Sequence, residues 1–111
     1  RGSGRLPLGT KMMRRQPTHP GAILRMDVIP ALREQGVSVA QFARDLHISR
    51  TLLYGILEEK KPVTSNIAVR LGKVLGNGAD IWLRMQQAHD IWIAEKELSE
   101  ELKEMPVYAD I

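Results

Sequence analysis

The 111-residue chain contains no cysteine and no apolar run near the roughly 20 residues that a membrane-spanning helix needs. The absence of cysteine excludes a disulfide scaffold and a thiolate metal site, and it is compatible with a reducing cytosol. The chain also has no internal repeat and no low-complexity segment. With 43% apolar and 26% charged residues, it is typical of one globular domain with a modest core.

Groups that could carry out catalysis are equally scarce. His19, His47 and His89 are scattered along the sequence, with His19 and His89 on unrelated segments, and they match no metal-ligand spacing. Glu100 and Glu101 are neighbours, so they diverge around a helix and cannot share a proton. No Ser/His/Asp or Cys/His arrangement indicates a nucleophile. We therefore expect no enzymatic site, no metal and no cofactor.

The net charge of +3 is unevenly distributed, with +5 before residue 16, +2 over residues 16–93 and −4 over residues 94–111. Such modest basicity favours DNA binding only weakly. Residues 1–11, RGSGRLPLGTK, show no periodicity, so we expect an expression remnant or a flexible tail before a single domain at 12–111. Alternatively the N-terminal part of the chain is a basic arm that reaches along DNA, with Arg14 and Arg15 as its contacts.

Residues 38–57, SVAQFARDLHISRTLLYGIL, are typical of two short helices joined by a tight turn. The first helix has one apolar face, because its apolar residues recur at spacings of three and four: Val39, Phe42, Ala43 and Leu46. After a break at His47 and Ile48, Ser49 fits an N-cap, whose hydroxyl accepts from a free amide of the new helix. The second helix directs four residues inward: Leu52, Leu53, Ile56 and Leu57.

The opposite face of the second helix is polar in its first two turns, which suits insertion into a DNA major groove. Arg50 there can bind guanine in a bidentate manner, a contact worth roughly 1–3 kcal/mol. Residues at the start of the first helix are better placed for the DNA backbone. The two lysines after the second helix contact phosphate or are simply solvated. The predicted DNA-binding residues are Ser38, Gln41, Ser49, Arg50, Thr51, Tyr54, Lys60 and Lys61.

Three further helices complete an expected all-α, five-helix domain. The first covers about residues 21–35, and Pro30 inside it is expected to end or kink it. The fourth runs from a cap at Thr64 or Ser65 to about Leu75, and the fifth covers about residues 79–104.

The apolar stripe of the fifth helix continues beyond what the core needs. Its later part, Leu98, Leu102 and Met105, has no partner within the domain, so we expect a homodimer interface there, or else a surface for a toxin or another protein. Trp92 either closes the domain core or belongs to this interface.

Residues 39–58 resemble the helix-turn-helix of the Xre/Cro-repressor type, which implies a lambda-repressor-like fold. Ala43 matches the small residue where the helices cross, Ile48 the apolar turn residue, and Leu53 and Ile56 the anchors. His47 departs from the usual glycine of the turn, although histidine is tolerated in the left-handed region more than bulky branched residues are.

A wider resemblance, over residues 18–98, is to the HigA (VapI-type) antitoxins. The matching elements are His19-Pro20-Gly21, Thr64, Arg70-Leu71, Trp82-Leu83, Gln86 and Asp90. This resemblance implies a cytoplasmic bacterial antitoxin that neutralises a HigB-like mRNA-cleaving toxin and represses its own operon as a dimer on a palindromic operator. Two alternatives are a repressor without a toxin partner and a protein-interaction module that no longer binds DNA.

Overall fold

The computed structural model describes residues 15–109, and its regular structure there is entirely helical. Helix α1 comprises three consecutive segments, Pro20–Ile23, Leu24–Val28 and Ile29–Glu34. It is followed by α2 (Val39–Leu46), α3 (Arg50–Leu57), α4 (Ser65–Leu75), α5 (Asp80–Glu97) and α6 (Ser99–Glu104). The all-α prediction is confirmed. None of these helices is both long enough and apolar enough to cross a membrane.

The predicted C-terminal helix at 79–104 is divided into α5 and α6. Leu98 adopts φ −98° and ψ 7°, outside the helical range, so it ends α5 and precedes α6. A sixth helix therefore occupies part of the predicted fifth within the described range 15–109. The predictions for residues 1–11 and for Arg14 fall on residues outside that range.

Pro30 does not end α1, which continues to Glu34. Instead, the turn before the proline widens into a π-helix over Leu24–Val28, where the amide of Ile29 donates to the carbonyl of Leu24, five residues back. Proline in a regular α-helix clashes with the carbonyl four residues earlier and cannot donate to it. Single π-turns are a known accommodation within longer helices. The alternative that Pro30 stops the helix was therefore wrong.

One apolar core joins α1 to α5. The four residues predicted on the inner face of α2 are all buried, and the core's aromatic members are Phe42 and Trp82. The predicted caps at Ser49 and Thr64 are confirmed, since their hydroxyls accept from the amides of Leu52 and Ile67. The hydroxyl of Ser38 caps α2 in the same way by accepting from the Gln41 amide. These caps set where α2, α3 and α4 begin.

The N-terminal turn of α1 lies directly against the C-terminal half of α3. A Cβ atom placed on Gly21 would lie 1.8 Å from the carbonyl oxygen of Ile56, so only glycine fits there. One turn later, the guanidinium of Arg25 donates to the carbonyl of Leu57, the last residue of α3, and forms an ion pair of 3.2 Å with Glu59. Helix α1 thus fixes the end of α3.

His19 and His89, which the sequence placed on unrelated segments, are neighbours in the structure. Their ring centroids are 5.0 Å apart in an edge-on arrangement. The Nδ1 atom of His19 accepts from the Gly21 amide and caps α1, while Nδ1 of His89 lies 2.9 Å from the carbonyl oxygen of Pro17. The two rings meet because α5 folds back over the start of α1, a proximity that their separation in sequence did not indicate.

We predict that Gly21→Ala destabilises the chain by about 3 kcal/mol, the upper end of the usual range for overpacking, because the backbone carbonyl of Ile56 cannot move aside easily. The matched control is Gly55→Ala. Its new Cβ would meet only the flexible side chain of Lys61, at 2.7 Å, and alanine is the better helix former. Urea unfolding measures both variants. Equal effects of the two substitutions would contradict the close contact at Gly21.

We also predict that the chain loses stability in acid through His19. Burial lowers the pKa of His19 below its ordinary value of 6.5, and His89 lowers it further, against the raising effect of Glu59 and Asp90. Protonation at Nδ1 would also remove the acceptor that caps α1. The unfolded chain therefore binds the proton more readily, so the free energy of unfolding is fully retained above pH 6.5 and decreases as the pH falls below it.

Urea midpoints measured between about pH 7.5 and pH 5.5 test this dependence. His19→Asn retains an N-capping side chain and should show a weaker loss than the parent protein. His47→Asn, at an exposed histidine, should leave the loss unchanged. If the urea midpoint of His19→Asn falls with decreasing pH as steeply as that of the parent, the loss of stability in acid comes from other groups.

Candidate nucleic-acid interface

The turn between α2 and α3 has the predicted helix-turn-helix geometry. His47 adopts φ 59° and ψ 41°, in the left-handed region, which confirms that histidine can take the place of glycine here. The amide of Ile48 then donates to the Ala43 carbonyl at 3.1 Å, and its side chain is half-buried. Ser49 follows as the N-cap of α3, with its hydroxyl 3.0 Å from the Leu52 amide.

Helix α3 buries one face and exposes the other. Leu53, Ile56 and Leu57 are buried, and Leu52 is half-buried but packs against the same core, as its predicted inward position requires. Arg50 and Thr51 are exposed in the first turn, and 46% of the surface of Tyr54 is exposed one turn later. The structure therefore places the predicted groove-facing side chains together on the solvent side of α3.

Polar side chains on the outer surface of α2 form hydrogen bonds with one another that the sequence did not indicate. The side-chain amide of Gln41 donates to Asp45 at 2.7 Å and accepts from Arg44 at 2.7 Å. A phosphate contact by Gln41 would require this pair of bonds to rearrange. Arg44 is exposed but was not among the predicted DNA-binding residues. Its spacing of three residues from Gln41 could have indicated that the two side chains lie on the same face of α2.

Ser38 and Tyr54 line a common open depression together with Arg33, at the end of α1. Arg33 is exposed and adds a positive charge beside the N-terminus of α2. A helix N-terminus and a guanidinium both favour a phosphate group. Sequence reasoning missed Arg33, because only the packing of α1 brings it to this edge.

Lys60 and Lys61 lie apart from this depression. Both line a second one, which they share with His19, Gln86 and His89. Lys60 also forms an exposed ion pair with Glu58 at 3.4 Å. The structure thus separates the two lysines from the Ser38–Tyr54 depression.

The elements of the wider resemblance stabilise the scaffold around the α2–α3 pair. Gln86 is buried, its side-chain oxygen accepts from the Val63 amide at 2.7 Å, and its side-chain nitrogen donates to Asp90 at 2.9 Å. The indole nitrogen of Trp82 donates to Asn77 at 3.1 Å. These bonds hold the loops at both ends of α4 against α5.

The predicted partner surface is exposed on the C-terminal part of the chain. Leu98, Leu102 and Met105 have between 40% and 48% of their surface exposed, and Trp92 is half-buried with the Lys96 ammonium 5.0 Å from its ring centre. Because the helix is interrupted at Leu98, Trp92 does not share one continuous helix with Leu102 and Met105.

Within residues 15–109, no group of three or more His, Cys, Asp or Glu side chains could hold a metal ion.

Comparisons with known proteins agree with this arrangement, although no family model matches the chain. Virulence-associated protein I of Dichelobacter nodosus is 37% identical over 79 residues, which cover 71% of this chain and 70% of that protein. The structure of an addiction module antidote protein of a HigA family from Coxiella burnetii is 33% identical, with a TM-score of 0.75, and the match covers 85% of this chain and all of that one.

A third relative is the antitoxin GraA, whose structure was solved in complex with its operator. It is 31% identical with a TM-score of 0.75, and the match covers 87% of this chain and 95% of GraA. Similarity of this extent, in both sequence and fold, identifies the family. The chain belongs to the HigA family of helix-turn-helix antitoxins.

Proposed function

We propose that the chain is the antitoxin of a type II toxin-antitoxin pair and that it represses its own operon by binding operator DNA as a dimer. Helix α3 lies in the major groove, where Arg50 and Thr51 contact base edges. Ser38, Tyr54 and Arg33 contact the phosphate backbone next to these bases. The role is one of binding and not of catalysis, and it places the protein with its operator in the bacterial cytoplasm.

The exposed polar face of α3 is the observation that carries this proposal. Arg50, Thr51 and Tyr54 are exposed together on a helix whose start is capped by Ser49 and whose last carbonyl is bound by Arg25. Side chains on a helix fixed at both ends are pre-organised for one register on the duplex, which favours sequence-specific over purely electrostatic binding. GraA, with a similar fold, was solved with its operator, which supports the same role here.

The toxin partner follows from membership of the HigA family and is a HigB-like mRNA-cleaving protein. The exposed apolar residues after α5 offer a surface for such a partner or for a second copy of the chain. We expect a small basic reading frame immediately upstream of this gene. Its product should be toxic when expressed alone and harmless when expressed together with this chain. Its absence would favour a repressor without a toxin.

We predict that Arg50→Ala weakens binding to the chain's own promoter by about tenfold or more, the loss expected for a bidentate contact with guanine. Thr51→Ala should relax discrimination at one operator position. Fluorescence anisotropy with promoter and random duplexes measures both, and Arg84→Ala, at an exposed arginine of α5, is the charge-matched control. A parent protein without preference for its promoter would refute the repressor role. A uniform loss on every duplex would assign Arg50 to phosphate.

We predict that truncation after Ala94 converts a dimer into a monomer, because it removes the exposed apolar side chains of Leu98, Leu102 and Met105. Light scattering gives the mass in solution. In the full chain, Leu98→Ser with Leu102→Ser should have the same effect, whereas Glu100→Gln, at a position of α6 between these two residues, should not. A truncated protein that remains dimeric would place the interface elsewhere.

A further inference from the structure

The C-terminal end of α2 is bound by an arginine from a different helix. Nη1 of Arg70, on α4, donates to the carbonyl of Leu46 at 3.0 Å and reaches that of His47 at 3.4 Å. The last carbonyl groups of a helix have no partner within it, so a cation donor satisfies them and also favours the helix dipole. Here the carbonyls belong to the turn between the two helices of the DNA-reading unit.

The guanidinium of Arg70 is itself held in a fixed orientation. Its Nε donates to Asn66 at 2.6 Å, one turn earlier on α4, and Arg70 is half-buried. A planar guanidinium with Nε engaged directs its Nη groups along set directions, which an ammonium on a flexible stem cannot do. Arg70 therefore fixes the position of the turn relative to α4. The start of α4 is itself capped by Thr64.

The turn needs such support because its left-handed residue is not glycine. His47 takes φ 59° at a steric cost that glycine would not incur, and Ser49, two residues later, already begins α3. A shift of the turn carbonyls would consequently change the direction in which α3 leaves the turn.

We propose that Arg70 is a positioning residue for DNA recognition, which holds the His47 turn so that α3 presents Arg50 and Thr51 in the register that reads bases. This inference rests on the proposed operator binding. Arg70 acts through the turn on the side chains that touch DNA and does not itself touch it.

The first experiment compares Arg70→Met with Lys73→Met, which removes an exposed positive charge one turn along α4. Both variants are measured where circular dichroism shows them fully folded. Arg70→Met should lose about tenfold or more in operator affinity, while its affinity for a random duplex changes no more than that of Lys73→Met. Equal loss on both duplexes, or no loss on the operator, would overturn the proposal.

Two further variants separate geometry from charge and stability. Arg70→Lys keeps the positive charge but lacks the guanidinium, and we expect its operator affinity to be as low as that of Arg70→Met. An operator affinity of Arg70→Lys close to that of the parent would overturn the requirement for the guanidinium. Glycine adopts the left-handed turn freely. The loss caused by Arg70→Met should therefore be smaller in a His47→Gly background, and an undiminished loss would contradict the link between Arg70 and the turn.

Amide hydrogen exchange tests the same contact without DNA. The amides of Ile48 and Leu52 are bonded to the Ala43 carbonyl and the Ser49 hydroxyl. Both should exchange faster in Arg70→Met than in Lys73→Met, and unchanged rates would overturn the proposed support of the turn. If the parent protein fails to prefer its operator, the proposed function fails, and the exchange rates still decide whether Arg70 holds the turn.

Discussion

Helix α3 depends on contacts at its ends, because a helix of eight residues is well below the roughly 12–15 residues at which isolated helices become even marginally stable. The Ser49 hydroxyl caps its first turn, and Arg25 binds its last carbonyl. Between them, α1 approaches so closely that Gly21 touches the Ile56 backbone. The orientation of the exposed polar face of α3 is thus a property of the whole domain.

Polar side chains also hold this scaffold together, beside the apolar core. Gln86 is buried, its side-chain oxygen accepts from the Val63 amide and its side-chain nitrogen donates to Asp90, so it joins the loop before α4 to α5. Arg70 links the end of α2 to α4. Several residues that carry the resemblance to HigA antitoxins therefore act on α3 indirectly, by fixing the elements packed around it.

Local pattern was sufficient to predict much of the fold. The spacing of apolar residues in α2 and the caps at Ser49 and Thr64 depend on neighbours within four positions, and both predictions are confirmed. The effect of Pro30 was harder to foresee, because a π-turn and a helix end both relieve the same clash. The interruption at Leu98 carries no glycine or proline signal, and sequence periodicity continues through it.

The sequence by itself determined the helical class, the positions of the caps and turns, and which face of α3 would be polar, since each follows from short-range periodicity and hydrogen bonding. Only the tertiary structure decided which distant groups meet. It paired His19 with His89, brought Arg33 beside Ser38 and Tyr54, and separated Lys60 from them. These relations depend on how α1 and α5 pack around α3, and contacts between residues far apart in sequence leave no periodic trace in it.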